Sequence, residues 1–209
     1  MHHPTAVALA LAVLAAVAVS AAAQAPGQAL FAERGCAGCH GEDGGPAVDS
    51  IPVLAGQRAA YLFKQARDIG EGRRVSRTDA NGDPRTRPMK DSMAGVSDAD
   101  LQAIADWLAT VPAPPAARGD AAAAADGAEL FDEFGCIGCH GDGGRKPLSD
   151  YPILAGQNRD YLALQLKDIR DDVRTNGRSR LMIGFARPLT DAQAERIAEH
   201  LSQADRTGP

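Results

Sequence analysis

GCAGCHGEDGG at residues 35–45 returns one hundred positions later as GCIGCHGDGG at residues 135–144. The chain has four cysteines, and all of them lie in these two copies of Cys-x-x-Cys-His. The copies are part of a longer repeat, because residues 27–70 and 127–170 align without gaps and are identical at 21 of 44 positions. One folding unit is therefore encoded twice, which is fewer copies than a solenoid needs.

The first residues predict export from the cytoplasm. Residues 6–23 form an uncharged, alanine-rich run that ends in the small residues at which signal peptides are cleaved. Such a run could also anchor the chain in a membrane, but alanine is weakly hydrophobic for a span. We therefore expect a signal peptide at residues 1–23. The net charge of −5, with neither half basic, argues against nucleic acid as a partner.

The spacing of apolar residues predicts an all-α fold in each repeat. A short helix near residues 28–33, and its partner near 128–133, should lead into the cysteine motif. A second helix should follow Gln57 in the first repeat and its counterpart in the second. Ser97 and Thr190, each followed by an aspartate, should cap the last helices. Strand signals are nearly absent, and most glycines and prolines fall in the loops.

A proline-rich stretch divides the chain into two tandem domains. We expect these at residues 24–111 and 127–209, with a linker at 112–126. The alanine run after Asp120 could instead extend the first helix of the second domain, with Asp120 as its N-cap. Domains of about ninety residues, in a chain with 4% aromatic residues, have thin apolar cores. A large apolar group is expected to complete them.

Cys-x-x-Cys-His is the attachment signature of c-type haem. Two thiols three positions apart on a helical turn lie on the same side and can form thioether bonds to two vinyl groups. The adjacent histidine then reaches the iron from one face of the ring. The sequence therefore predicts two covalently bound haem c groups. Their attachment residues are Cys36 and Cys39 in the first repeat and Cys136 and Cys139 in the second, with His40 and His140 as axial ligands.

Other uses of paired cysteines fit the sequence less well. A thioredoxin-like redox pair is expected near a βαβ pattern, which is absent from the sequence. A structural zinc site needs four ligands, usually as two neighbouring pairs, and the pairs here lie in separate repeats. Haem attachment is the interpretation that explains the histidine after each pair.

A methionine on the opposite face of the haem would fill the sixth position of the iron and favour electron transfer over reaction with a small molecule. Met89 and Met182 each lie eight residues before the cap of a last helix, in loops rich in Arg, Pro and Gly. Methionine also fills gaps in cores, but the equivalent positions favour axial ligation. Met93 is the rival in the first domain, and its counterpart is Ala186, which cannot bind iron.

Together these motifs resemble the dihaem cytochrome c4 family over essentially the whole mature chain. Their order is Cys-x-x-Cys-His, Pro-x-Leu-x-Gly-Gln, Tyr-Leu-x-x-Gln, and then a methionine followed by Leu/Val-Ser/Thr-Asp. The resemblance implies two cytochrome c domains, each a small helical fold around one covalently bound haem, that meet face to face with the haems close together. It also implies a periplasmic electron carrier, soluble or loosely held at the inner membrane.

The resemblance assigns roles to further residues. Met89 and Met182 match its axial positions, and Pro52 and Pro152 match the proline whose carbonyl accepts a hydrogen bond from the axial histidine.

A further set of polar residues could either neutralise haem propionates or form solvated helix faces. They are Gln57, Tyr61, Arg73, Arg74, Gln157, Tyr161, Arg178 and Arg180.

Two further polar features have ordinary explanations. His200 is expected on a helix surface, because both irons already have candidate ligands. The segment from Asp79 to Pro84 partly matches a calcium loop, but proline stands where glycine is required, and a solvated turn is expected.

The sequence predicts a protein that passes single electrons between respiratory partners. By family analogy these are a quinol-oxidising bc-type complex and a terminal oxidase, or a dehydrogenase. The dihaem cytochrome subunit of flavocytochrome c sulfide dehydrogenase looks similar and is the main alternative. A dihaem enzyme would need an open iron or a catalytic His or Cys ligand. All four cysteines are used for attachment and the only spare histidine is His200, so no catalytic residues are expected.

Overall fold

The computed structural model describes residues 25–46, 48–148 and 151–206, and the predicted signal peptide lies outside them. The described part of the chain is helical, and its only β-pairing is an isolated bridge between Thr78 and Pro84. None of its helices is long and apolar enough to cross a membrane. The first repeat contains α1 (Pro26–Glu33), α2 (Ala37–His40), α3 (Ala59–Gly70), α4 (Arg87–Ser92) and α5 (Asp98–Thr110). The second contains α6 (Ala121–Glu133), α7 (Ile137–His140), α8 (Arg159–Arg170), α9 (Ser179–Ala186) and α10 (Asp191–Gln203).

Polar caps begin the helices where the sequence predicted them. The Ser97 hydroxyl accepts a hydrogen bond from the amide of Asp100, and Thr190 forms a reciprocal capping box with Gln193. Asp120 accepts hydrogen bonds from the amides of Ala122 and Ala123, so α6 starts at Ala121. The alanine run therefore extends the first helix of the second domain, as the alternative prediction had it, because alanine has the highest helix propensity.

The first and last helices of each repeat cross at a glycine. A β-carbon on Gly27 of α1 would lie 2.0 Å from the carbonyl oxygen of Ala103 in α5. A β-carbon on Gly127 of α6 would lie at the same distance, 2.0 Å, from the carbonyl oxygen of Arg196 in α10. No larger residue fits at these positions, so the two helix pairs cross in the same way. Each crossing buries the phenylalanine four residues after the glycine.

Each repeat has its own small apolar core. The first is formed by Phe31, Leu62, Ile104, Ala105 and Leu108. The second is formed by Phe131, Leu162, Ala163, Ile169, Ala186, Leu189, Ile197, Ala198 and Leu201. Both clusters include the first cysteine of the motif at their edge, so the apolar packing continues up to the haem-attachment turn. These small clusters are consistent with the thin cores expected from the sequence.

A reciprocal pair of glutamines joins the two repeats. Gln157 accepts a hydrogen bond from the Val53 amide (2.7 Å) and donates one to the Val53 carbonyl (2.9 Å). Gln57 does the same with Ile153, at 2.9 Å and 2.8 Å. Both glutamines are buried, with Gln57 3% exposed and Gln157 5% exposed. We call these four residues the glutamine clasp. From the sequence, Gln57 and Gln157 were expected either to bind haem propionates or to lie on a solvated helix face. In the structure their side-chain amides instead pair with backbone N–H and C=O groups of the opposite repeat.

Arg206, near the end of the described chain, bridges the same two loops. Its guanidinium donates to the carbonyl oxygens of Ala155 (2.8 Å) and Ala55 (2.5 Å). Burial lowers the pKa of Arg206 to about 10, which leaves it protonated at neutral pH. One charged side chain therefore ties together equivalent positions of the two repeats.

Removal of one half of the glutamine clasp should loosen the contact between the domains. Gln157→Ala leaves the Val53 amide and carbonyl without their partner, which should cost about 2 kcal/mol and lower the denaturant midpoint of the haem-loaded protein. Gln102→Ala is the matched control, because Gln102 bonds only to Asp106 on the surface of α5 and should change stability by less than about 0.5 kcal/mol. Equal midpoints for the two variants would contradict the role given to the clasp.

Candidate haem sites

A single helical turn presents both thiols of each motif. The Cys36 carbonyl accepts hydrogen bonds from the amides of Cys39 (3.2 Å) and His40 (3.0 Å). Cys136 repeats these bonds to Cys139 and His140 at the same distances, 3.2 Å and 3.0 Å. A glycine with positive φ, 74° in the first repeat and 72° in the second, follows each histidine and turns the chain away. The turn therefore holds two thiols and an imidazole together.

None of the four thiols forms a disulfide. Cys36 and Cys136 are partly buried at the edge of the apolar cores. Burial raises the pKa of the Cys36 thiol, and it raises that of Cys136 to about 11. Within the described residues, no group of three or more His, Cys, Asp or Glu side chains is arranged to hold a metal ion. Raised pKa values keep the Cys36 and Cys136 thiols protonated, and their place at the edge of the apolar cores fits covalent attachment of an apolar group there.

Each motif histidine is buried and held by a proline carbonyl. The His40 Nδ1 lies 3.3 Å from the carbonyl oxygen of Pro52, and His140 Nδ1 lies 3.4 Å from that of Pro152. A carbonyl only accepts, so Nδ1 carries the proton and Nε2 keeps its lone pair. Burial lowers the pKa of both imidazoles, partly offset by these hydrogen bonds, and so favours the neutral form that binds metals.

The second histidine has an unsatisfied nitrogen. His140 is only 3% exposed, and its Nε2 has no hydrogen-bond partner. A buried nitrogen left without a partner costs about 1–3 kcal/mol, so such atoms normally have one. A metal bound to Nε2 would supply it. The residues present therefore fit a haem iron at this position.

Both candidate methionines lie on helices, and the prediction that they lie in loops was wrong. Met89 is in α4 and Met182 is in α9, and both are partly buried. Pro88 occupies the first turn of α4, where its missing amide proton costs nothing, so a proline that indicated a loop in fact starts a helix. Met182 also packs against the apolar core of the second domain.

Met93 has a packing role in the first domain. A β-carbon built on Gly70, the last residue of α3, would lie 3.0 Å from the Met93 Cβ, so Met93 fills the space above that glycine. In the second repeat the counterparts are Arg170 and Ala186, and Ala186 is 2% exposed. The two repeats therefore fill this point of the core differently.

The remaining polar candidates are spread over several environments. Arg73 forms an ion pair with Asp68, Arg178 lies over the ring of Tyr151 at 5.3 Å, and Arg180 donates to the Thr175 carbonyl at 2.9 Å. Arg74 is buried and donates to the hydroxyl of Tyr161 across the domain contact at 2.7 Å. Only Arg74 of these four arginines is buried.

Arg174 was missed from the sequence. It is 7% exposed and donates to the Tyr61 hydroxyl at 3.3 Å, as Arg74 does to Tyr161. The one-hundred-residue offset that relates the repeats also relates Arg74 to Arg174. An extension of the gapless alignment four residues beyond position 170 would have identified it.

The other two polar features have structural roles. The Asp79 carboxylate accepts hydrogen bonds from the amides of Asn81 (2.8 Å) and Asp83 (3.1 Å), which makes the segment a closed turn. His200 lies on α10, as expected, but is half-buried with its ring centroid 5.9 Å from that of Phe131. Trp107 occupies the corresponding place beside Phe31 in the first repeat, at 5.2 Å. His200 therefore acts as a packing ring.

Comparisons with known proteins agree with the geometry. The model of the family described as cytochrome c matches twice, at residues 24–112 and 124–205. The thiosulfate dehydrogenase electron acceptor of Stutzerimonas stutzeri strain A1501 is 34% identical, over 92% of this chain and 93% of that protein. Cytochrome c4 of Azotobacter vinelandii is 33% identical, over 79% of this chain and 82% of its own. The crystal structure of reduced recombinant cytochrome c4 from Pseudomonas stutzeri superimposes with a TM-score of 0.72 at 34% identity, over 85% of this chain and 96% of that one.

Loss of one cysteine pair should remove one haem and leave the other. We expect the mature chain with Cys136→Ser and Cys139→Ser to carry one covalent haem by intact-protein mass spectrometry, against two in the unaltered protein. The pair Cys36→Ser and Cys39→Ser should give the same mass loss, with the remaining haem on a peptide that contains residues 136–140. A variant that still carried haem on the altered turn would refute the assignment.

Proposed function

The chain belongs to the cytochrome c family, in its dihaem cytochrome c4 branch, and we propose that it is a periplasmic electron carrier rather than a catalyst. When bound, each of its two haem c groups supplies a one-electron iron couple. The observation that carries the proposal is the repeated histidine site. Each imidazole is buried, protonated on Nδ1 by its bond to a proline carbonyl, and free on Nε2 to bind iron.

We infer that His40 and Met89 are the axial ligands in the first domain, and that His140 and Met182 are those in the second. The two methionines lie on equivalent short helices, and both are partly buried. Met93 is the weaker candidate, because its side chain packs against Gly70 and its counterpart in the second repeat is an alanine. Cys36, Cys39, Cys136 and Cys139 are the proposed attachment residues.

The proposed ligand sets favour carriage of electrons over chemistry on a substrate. A methionine in the sixth position leaves no place for peroxide, oxygen or another small molecule. The protein's part is to hold the imidazole in one orientation and to exclude water from the site. The hydrogen bond from Nδ1 to the proline carbonyl holds the orientation of the imidazole. The apolar core that reaches Cys36 and Cys136 helps to exclude water.

The proposed partners are redox proteins of the periplasm. A quinol-oxidising bc-type complex as donor and a terminal oxidase as acceptor fit a carrier of the cytochrome c4 branch, with any contact to the inner membrane being loose. A second candidate is supported by the relative named as a thiosulfate dehydrogenase electron acceptor, which is similar over nearly its whole length. In that case a dehydrogenase donates directly to this protein. The flavocytochrome alternative requires a flavoprotein that purifies with the chain.

Replacement of either proposed axial methionine should open one haem. Ferric haem with a sulfur ligand has a weak far-red absorption band, and we expect Met89→Ala and Met182→Ala each to reduce that band by about half. Both variants should also bind added cyanide or imidazole at one haem, because the iron then has a free position. Met93→Ala is the matched control in the first domain and should leave the full band. A normal band in Met89→Ala with a halved band in Met93→Ala would show that Met93, and not Met89, binds the iron of the first domain.

Reduction kinetics separate the two donors. We expect the oxidised protein to be reduced rapidly by a bc-type complex with quinol, and at least tenfold more slowly by thiosulfate dehydrogenase with thiosulfate at the same concentration. Stopped-flow absorbance of the haems measures both rates. The opposite order would establish the dehydrogenase acceptor as the better description.

A further inference from the structure

Three side chains are stacked beside the cysteine turn of the second repeat. The rings of His140 and Tyr151 meet nearly at right angles, with centroids 5.8 Å apart and an angle of 77° between their planes. The guanidinium carbon of Arg178 lies over the Tyr151 ring, 5.3 Å from its centroid. We call these three residues the histidine stack. The motif histidine of the second domain thus contacts a ring that is itself bound by a cation.

The backbone keeps Tyr151 close to the attachment turn. The Leu148 amide donates to the Cys139 carbonyl at 3.0 Å, and the Tyr151 amide donates to the Leu148 carbonyl at the same distance, 3.0 Å. The next residue, Pro152, supplies the carbonyl that lies 3.4 Å from His140 Nδ1. One loop therefore restrains the imidazole twice, by a hydrogen bond at Nδ1 and by a ring contact from the adjacent residue.

Arg178 connects this loop to the helix that carries Met182. It is the N-cap residue of α9, and its carbonyl accepts a hydrogen bond from the Leu181 amide at 3.0 Å. The next residue, Ser179, is buried, and its hydroxyl donates to the Asn176 carbonyl at 2.6 Å. The start of α9 is thus held in place. The histidine stack therefore joins one proposed axial ligand of the second domain to the helix that carries the other.

The first domain lacks such a stack. Ile51 stands one hundred residues before Tyr151, at the equivalent place next to the proline, so this loop has no aromatic ring to place beside His40. Among the residues that the structure describes, the ring contacts include His140 and do not include His40. The two motif histidines share their proline hydrogen bond and differ in this ring contact.

The added contact restrains the plane of the imidazole. The hydrogen bond to Pro152 fixes one atom of the His140 ring, whereas an edge-to-face contact with Tyr151 disfavours rotation of the whole ring. Arg178 in turn restrains Tyr151, because a cation is attracted to the face of an aromatic ring. Outer contacts of this kind orient a metal-binding histidine and tune the metal.

We propose that Tyr151 and Arg178 are positioning residues that fix the plane of the His140 imidazole on the second haem, so that this ligand is held more firmly than His40 is on the first. The inference rests on the proposed function, because it needs iron bound at His140. A ligand that keeps its orientation when the iron changes oxidation state requires little rearrangement for each electron transferred. The second haem is therefore the more rigid of the two sites.

The first test replaces Tyr151 in the full-length, haem-loaded protein. Tyr151→Ile gives the second domain the residue of the first, and Tyr151→Phe keeps the ring. In the oxidised protein, the NMR shifts of the haem methyl groups depend on the plane of the axial imidazole. We expect Tyr151→Ile to move these resonances at the second haem only, and Tyr151→Phe to leave those of both haems close to their positions in the unaltered protein.

The arginine is tested separately. Arg178→Gln should move the resonances of the second haem in the same direction as Tyr151→Ile but less far, because the Tyr151 ring remains beside His140. Arg178→Lys should restore them in part, since lysine keeps the charge but not the planar group. The matched control is Arg67→Gln, which removes a cation over the Phe63 ring, 5.8 Å from its centroid, and should leave the second haem unchanged.

Unmoved second-haem resonances in Tyr151→Ile, or equal movements at both haems, would overturn the proposal. A purely structural role predicts a lower denaturant midpoint with the resonances in place, so that result also counts against it. If Tyr151→Ile is not recovered with haem, Arg178→Gln decides the same question, because the Arg178 side chain is exposed and its loss leaves the fold intact.

The far-red sulfur band keeps this test apart from that of the axial ligands. Its absence from the unaltered protein would contradict ligation by methionine, which belongs to the proposed function. An intact band together with unmoved resonances in the Tyr151 and Arg178 variants would contradict the role of the histidine stack alone.

Discussion

The hydrogen bond from each buried histidine to the proline carbonyl twelve residues later is the constraint on which the rest of the structure depends. In the first repeat it fixes the His40 ring through Pro52. The next residue, Val53, has both its backbone groups bound by Gln157 of the other repeat. Three residues further on, the Gly56 amide donates to the Leu108 carbonyl at the end of α5 at 2.9 Å. One short loop thus joins the metal-binding histidine, the domain contact and the last helix.

This triple role explains why the repeats agree so closely in Pro-x-Leu-Ala-Gly-Gln. The proline supplies a carbonyl, and the final glutamine reaches across to the opposite loop. Neither function tolerates a shift in spacing, because the same six residues must satisfy partners on three sides. Elsewhere the repeats diverge where only space must be filled, as with Trp107 and His200 or Met93 and Ala186. Exchanges of that kind change packing volume without moving a hydrogen-bonding group.

Local features of the fold could be predicted from the sequence, whereas the contacts between domains could not. Periodicity and polar caps indicated the long helices, and the position of His40 beside two cysteines indicated haem. Proline breaks the interior of a helix but is well tolerated in its first turn. Met89 was therefore assigned to a loop because of Pro88, which in fact lies in the first turn of α4. Gln157 and Arg174 depend on how two domains pack together, and no spacing along one chain encodes that arrangement. The sequence indicated this arrangement only through the one-hundred-residue offset of the repeats, which relates Arg74 to Arg174.

The thin cores indicate that a large apolar component completes each domain. Each domain alone buries a small apolar cluster that stops at its cysteine turn. A haem is a large apolar ring, so a haem attached at the cysteine turn would extend the core at that edge. Because the folded chain would bind it and the unfolded chain would not organise these contacts, the favourable free energy of haem binding adds to the stability of the fold.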